Sequence, residues 1–328
     1  MRLLVTGGAG FIGSHFVKRM LAAAEDVVIL DKFTYAGNEA NLPNGADCRR
    51  GDIAVREEVE QIGPVDAIVN FAAETHVDRS ILGPEEFVRT DVLGTLVLLR
   101  LAEEMSARLV HVSTDEVYGD VEPGWSSRED DPLRPSSPYS ASKAGGDLQV
   151  LAAVRTFGAN ASITRGSNTY GPNQYPEKVL PLFATNALDG NVLPLYGDGR
   201  QIRDWLHVED HCAAIELVLR QGEAGEVYNV GANEEHENAE LARLIVDHLG
   251  VDAGLIRHVE DRAGHDRRYS LETSKIRALG WRPRREWEDG IRSTIDWYRD
   301  NREWWEPIKR SSDFRQFYDK QYAARLAG

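Results

Sequence analysis

Five short runs rich in β-branched residues punctuate the first half of the chain: Leu3–Thr6, Val27–Leu30, Ala67–Phe71, Leu109–Ser113 and Ser162–Arg165. The first two are apolar almost throughout, which suits strands covered on both faces and therefore a parallel sheet. Helical stretches at Phe11–Ala24, Pro84–Glu104 and Tyr139–Phe157 supply the crossovers, which are right-handed in such units. The pattern predicts an α/β fold in which a doubly wound parallel Rossmann-type sheet carries a smaller, mostly helical lobe.

Beyond about Gly166 the alternation weakens. "YGPNQYPEKVLP" and "LPLYGDGRQIRDW" read as binding loops around a helix near Val179–Leu188, and from Asn238 onward the chain reads mostly as helix. Helical "VEDHCAAIELVLRQ" and the strand "EVYNVG" fold back toward the first sheet. The expected division is a dinucleotide-binding domain at 1–165 with a return segment near 205–232, and a substrate lobe at 166–204 and 233–328.

A net charge of −15 argues against nucleic acid or an anionic membrane as partner. Cys48 and Cys212 stand far apart and suit free thiols in a reducing compartment. With a strand at its start and no membrane-length apolar run, the chain is expected to be cytoplasmic.

"VTGGAGFIGSH" places Gly7, Gly10 and Gly13 between a strand and a helix. Glycines there permit a tight turn and let backbone N–H groups approach a pyrophosphate. Asp31 ends the second strand, at about the distance where a carboxylate binds an adenine ribose; it would repel a 2′-phosphate, which favours NAD over NADP. Asp52 and Ile53 are candidates for the adenine contacts, although Asp52 also reads as a cap. Ala72 and Ala73 would let the cofactor lie against the backbone, and Lys32 taken alone reads as a solvated flank rather than a phosphate ligand.

Tyr139 and Lys143 in "YSASKAGGD" are four residues apart and share a helical face. A neighbouring ammonium lowers a phenol's pKa, so Tyr139 is a candidate base toward a hydroxyl. Asp115 and Glu116 follow Thr114 at the end of an apolar strand, where adjacent carboxylates are costly unless something uses them. They read as a capped surface turn or as an acid and a base. Neighbours on an extended strand point to opposite faces, so joint action requires the backbone to turn there.

These residues resemble the extended short-chain dehydrogenase/reductase superfamily. More narrowly, "FAAETHVDRS", "STDEVYGD", "SPYSASKAGGD", "YPEKVLPL", "YGDGRQIRDWLHVEDH" and "DRAGHDRRY" resemble the dTDP-glucose 4,6-dehydratases, in order from Gly7 to about Trp305. The resemblance implies a homodimer through the helices near Pro84–Glu104 and Tyr139–Phe157, and a tightly held NAD. It implies that Phe11, Ile12, Thr34, Phe71, Thr75, Thr90 and Thr169 join the residues above in contacting that cofactor. It further implies that Tyr139 takes the C4 hydroxyl proton as C4 gives hydride to NAD, with Thr114 holding the hydroxyl. Glu116 would then remove the C5 proton, Asp115 would protonate the departing C6 hydroxyl, and hydride would return to C6. An epimerase or decarboxylase of the superfamily has no task for the acid–base pair, and a non-catalytic sensor has none for Tyr139 and Lys143 either.

For the nucleotide sugar the resemblance implies Thr75, Asn168, Lys178, Val179, Pro194, Tyr196, Arg203, Asn233, Asp261, Arg262 and His265. Arg suits the diphosphate through its planar fork. His265 has no companion at metal-ligand spacing, and no metal is expected. Two positions depart from the family pattern: Thr169 replaces a usual Asn, and Gly166 stands where Cys is common.

Overall fold

A computed structural model describes residues 1–327. Its strands, in chain order, are β1 (Arg2–Thr6), β2 (Asp26–Asp31), β3 (Asp47–Arg50), β4 (Ala67–Asn70), β5 (Arg108–Thr114) and β6 (Ala161–Gly166). β7 (Asn168–Tyr170), β8 (Leu193–Tyr196), β9 (Ile202–His207), β10 (Val227–Val230), β11 (Glu235–Glu237) and β12 (Ile256–Val259) follow. Seven of them form one parallel sheet in the order β10-β6-β5-β4-β1-β2-β3, the doubly wound pattern. Strand order reverses between β1 and β4, so the crevice beyond their C-terminal ends is where such a sheet binds ligands. Polar β3, "DCRR", lacks an apolar signature because it is the sheet edge, paired only with β2.

Separate apolar layers cover the two faces. Phe16, Val17 and Met20 of the Phe11–Ala22 helix pack with Ile215 and Val218 of the Val208–Gln221 helix on one side. Leu98, Leu99 and Val150 cover the other. A fully buried Phe or Leu at such a place contributes roughly 1.5–3 kcal/mol. A third core gathers Tyr170, Phe183, Trp205, Ile245, Ile291 and Trp305, around which the small sheets β11-β9-β7 and β12-β8 assemble.

Two helices position the chemistry. The Pro138–Phe157 helix starts on a capping box between Ser137 and Ser140 with Pro at its first turn, and stops at left-handed Gly158 (φ +69°). The expected continuous helix over Pro84–Glu104 is instead a short helix Glu85–Phe87, a π-helical turn Val88–Gly94 and a helix Thr95–Met105. The wider turn brings Thr90 and Asp91 into the interior. It sits tightly on Ile53, whose Cδ1 would be 2.5 Å from a Cβ on Gly94.

Candidate active site

Two adjoining cavities open beyond the C-terminal strand ends, both walled by Glu177 and Lys178. The first begins at the turn after β1. Gly7 adopts φ +67°, and a Cβ there would stand 2.6 Å from the Ala72 backbone nitrogen; a Cβ on Gly13 would stand 2.3 Å from the Gly7 oxygen. The helix that follows has Gly10 as N-cap, no side-chain cap and no acidic residue in its first turn. Its free N–H groups and positive dipole end suit a pyrophosphate.

Asp31 is buried, which raises its pKa, against the pull of hydrogen bonds from Phe33 N (2.8 Å) and Ala9 N (2.9 Å). Each oxygen keeps a lone pair for a ribose hydroxyl. The Thr90 and Ser113 hydroxyls are buried without a partner beside the same cavity. An uncapped helix start, a free carboxylate edge and two orphaned hydroxyls fit a dinucleotide.

Gly10, Phe11, Ile12, Lys32, Thr34, Asp52, Ile53, Phe71, Ala72, Ala73, Thr75, Tyr139 and Lys143 line this cavity as well. Asp52 combines the two readings, since it faces the cavity while accepting from Ala54 N (2.8 Å) and pairing with Lys32 (3.0 Å) and Arg89 (3.2 Å). Thr169 does not line it. The Thr169 hydroxyl bonds Ser167 O (3.1 Å) and His211 Nδ1 (2.8 Å). His211 occupies the space Gly166 leaves open, where a Cβ would stand 2.4 Å from the ring. Gly166, Thr169 and His211 thus form one packed unit that is not part of the cofactor cavity's lining.

The backbone resolves the difficulty of the paired acids. β5 ends at Thr114, and Asp115–Tyr118 form a 3₁₀ turn whose N-cap is Thr114, its hydroxyl accepting from Glu116 N (3.3 Å). The turn breaks the strand's alternation and gives the two carboxyls unlike surroundings. Asp115 is 3% exposed; its Oδ1 accepts from Thr114 Oγ1 (3.1 Å) and its Oδ2 has no partner. Burial and then the Glu116 charge hold the Asp115 carboxyl well above the usual range. Glu116 reaches the second cavity; burial raises it too, but Arg262, Lys178 and Arg203 pull it back. Neighbouring acids pushed apart in this way suit a proton donor beside a proton acceptor.

Tyr139 departs from the sequence expectation. Burial, Glu116 and Asp91 raise its phenol well above its ordinary value, while the Thr114 hydroxyl lowers it. Lys143 does not produce the expected lowering: its buried ammonium donates to Val112 O at 2.8 Å and acts on Asp91 and His111.

The second cavity is lined by Asn168, Lys178, Val179, Pro194, Tyr196, Arg203, Arg262 and His265. Lys178 Nζ donates to Thr75 Oγ1 (3.1 Å), and Arg262 pairs with Asp78 (3.2 Å). Arg203 has no ion-pair partner among the described residues; it donates to the Ile202 and Asp266 carbonyls and lies over the Tyr269 ring. Arg203 is thus a buried cation available to an anion.

Asn233 and Asp261 lie off the cavity wall. Asn233 accepts from Thr273 (2.8 Å) and Arg277 (2.9 Å), and Asp261 holds Gln201 (2.9 Å) and His265 (2.6 Å) in place. Sequence reasoning missed His76, Asp78, Asn238 and Tyr322. His76 gave one late signal: it is buried at φ +89°, against Phe317 of the Ser312–Ala327 helix. Such strain collects at ligand sites.

The sequence profile of the GDP-mannose 4,6 dehydratase family matches residues 4–294. The dTDP-glucose 4,6-dehydratase of Streptomyces niveus is 52% identical over 324 residues, covering 94% of this chain and 96% of that protein. The structure of the Streptomyces venezuelae dTDP-glucose 4,6-dehydratase, solved with NAD and a second ligand bound, is 53% identical with a TM-score of 0.91, over 94% of this chain and 100% of that one. The UDP-glucose 4-epimerase of Thermus thermophilus, in complex with NAD, is 34% identical with a TM-score of 0.87, over 92% of this chain and 100% of that one. The fold and the cofactor are therefore common to more than one reaction, and the side chains beside the sugar must choose between them.

Proposed function

Because the chain belongs to the dTDP-glucose 4,6-dehydratase family, we propose that it converts dTDP-glucose to dTDP-4-keto-6-deoxyglucose for deoxysugar synthesis. The observation that carries this reading is the acid pair on the 3₁₀ turn, one member enclosed and the other reaching the cation-lined cavity.

In this reading Gly7, Gly10, Gly13 and Asp31 hold NAD, with Lys143 at the nicotinamide ribose. NAD supplies the hydride acceptor for C4 and the donor for C6. Tyr139 takes the proton of the C4 hydroxyl, which Thr114 orients. The resulting ketone acidifies the C5 hydrogen; Glu116 removes it as a proton and gives a proton back to C5 when C6 is reduced. Asp115, kept protonated by its burial, gives its proton to the C6 hydroxyl, which leaves as water. Arg203, Arg262 and Lys178 offset the diphosphate charge, and Tyr196 packs on the base. Residues 1–165 and the return segment near 205–232 serve the cofactor; 166–204 and 233–328 serve the nucleotide sugar.

A homodimer is part of the proposal. Leu93, Leu96, Leu148 and Phe157 are exposed on the Val88–Gly94 turn and the two helices expected to form the interface, with Ile81, Leu82 and Val88 beside them. Apolar side chains exposed together on adjoining elements mark an association surface. Among the described residues no helix is long and apolar enough to cross a membrane. Both cysteines are free thiols, which supports a reducing cytoplasm.

Mass analysis after incubation with dTDP-glucose, beside UDP-glucose, tests the reading. A 4-ketone that has lost water is expected; C4 inversion without water loss would replace dehydration by epimerisation. Asp115→Asn keeps the shape but cannot donate the proton, and should slow water loss by about 10²–10⁴-fold. Unchanged dehydration in that variant would remove Asp115 from the acid's role.

A further inference from the structure

Asp91 takes no part in the proton transfers above, yet its placement is costly. It is 1% exposed within the π-helical turn Val88–Gly94, next to Thr90 of the cofactor cavity. Its Oδ2 accepts the Ser142 hydroxyl at 2.5 Å, and its Oδ1 is enclosed with no hydrogen-bond partner. A half-satisfied carboxylate in the interior is destabilising, and π-helical turns occur frequently at functional sites. Ser142 directly precedes Lys143 and stands three residues after Tyr139, so Asp91 is tied to the helix that carries both.

We propose that Asp91, tied through Ser142 to the helix that carries Tyr139, is a positioning residue whose charge sets how readily Tyr139 gives up its proton. The inference rests on the reading of Tyr139 as the base toward the C4 hydroxyl. Lys143 is the cation facing Asp91, and Glu74, after β4, is the other acid facing it. His111 of β5 lies close to its backbone: a Cβ on Gly146 would stand 2.8 Å from the Asp91 oxygen and 3.1 Å from His111 Nε2. Burial holds this histidine neutral. The Asp91 charge raises the Tyr139 phenol. Burial lifts the Asp91 carboxyl to about 7, against the pull of Lys143 and of the Ser142 hydrogen bond. Its charge therefore changes near neutrality. When Asp91 is ionised the phenol is harder to deprotonate; when it is protonated, the phenol is freed of that opposing anion. Interacting groups of this kind titrate in separate macroscopic steps.

The test compares pH–rate profiles of dTDP-glucose turnover for the unaltered protein, Asp91→Asn and Ser142→Ala. Asn keeps the shape and removes the charge, so the acid limb should sharpen to a single step and move down by about one pH unit. Ser142→Ala removes a bond that stabilises the carboxylate, so the Asp91 step should move up. A purely structural link between turn and helix would make both variants shift the limb in the same direction, or leave it in place while lowering kcat, and either result overturns the proposal. Turnover that survives with an Asp91→Asn profile superimposed on the parent's overturns it while leaving the dehydratase reading intact. No turnover by the unaltered protein overturns both.

Discussion

The buried Asp91 carboxyl makes a prediction about stability that needs no substrate. Its ordinary value of 3.8 is raised to about 7 in the fold, mainly by burial. A folded-state pKa above the unfolded value gives stability that is fully present below the unfolded pKa and lost as pH rises through the folded one. The window therefore runs from about pH 4 to about pH 7, over which the folded chain holds a proton that the unfolded chain releases. The difference is about 3 units, and at about 1.4 kcal/mol per unit the loss approaches about 4 kcal/mol. Asp91→Asn removes the titration but places an amide N–H where Oδ1, or an oxygen bonded to Ser142, now sits, costing about 1–3 kcal/mol at every pH. The variant should thus be less stable than the parent near pH 4 and more stable near pH 8. Every other titrating group is common to both chains and cancels in the difference. Thermal unfolding at a series of pH values reads this swing as roughly 4–8 °C in the Tm difference, taking about 1–2 °C per kcal/mol for a chain of this size. A difference curve that stays flat from pH 4 to pH 8 would refute the assignment of a raised carboxyl pKa to Asp91.

Two further perturbations test separate parts of the architecture. Gly13→Ala puts a Cβ 2.3 Å from the Gly7 oxygen, so the turn must open; NAD binding by fluorescence titration should weaken at least about tenfold while circular dichroism keeps its helical signal. Retained affinity would separate the turn from the cofactor. Leu96→Glu together with Leu148→Glu places charge on the exposed apolar patch, and sedimentation should move from dimer to monomer without loss of secondary structure. A parent that already sediments as a monomer would refute the interface.

How far the chain could be read without coordinates depended on whether a residue's role is local. The strands of the parallel sheet were legible because Val27–Leu30 and Leu3–Val5 are apolar on both faces, and edge strand β3 was not, because an edge needs no such pattern. Gly7, Gly10 and Asp31 were legible because a tight turn and a strand end impose residue types at fixed distances. The interruption of Pro84–Glu104 left no such trace: only the family resemblance marked Thr90, and Asp91 read as an ordinary polar position of a helix until the π turn drew it inside. His76, Asp78 and Tyr322 come to one wall through packing between segments more than two hundred residues apart, which periodicity does not encode.

The same distinction explains the acids. "TDE" announces two carboxyls, but not which one donates and which one accepts. That difference is made by distant residues: Arg203, Lys178 and Arg262 come from three separate segments and act on Glu116, while Asp115 faces the enclosed side of a turn that begins at its own backbone. A local motif thus supplies the reactive groups, and the second cavity assigns their duties. It also follows that losing Arg203 or Arg262 should matter less for NAD retention than for the pH at which Glu116 can accept the C5 proton, because neither lines the cofactor cavity and both act on that carboxylate, whereas Lys178 walls both cavities.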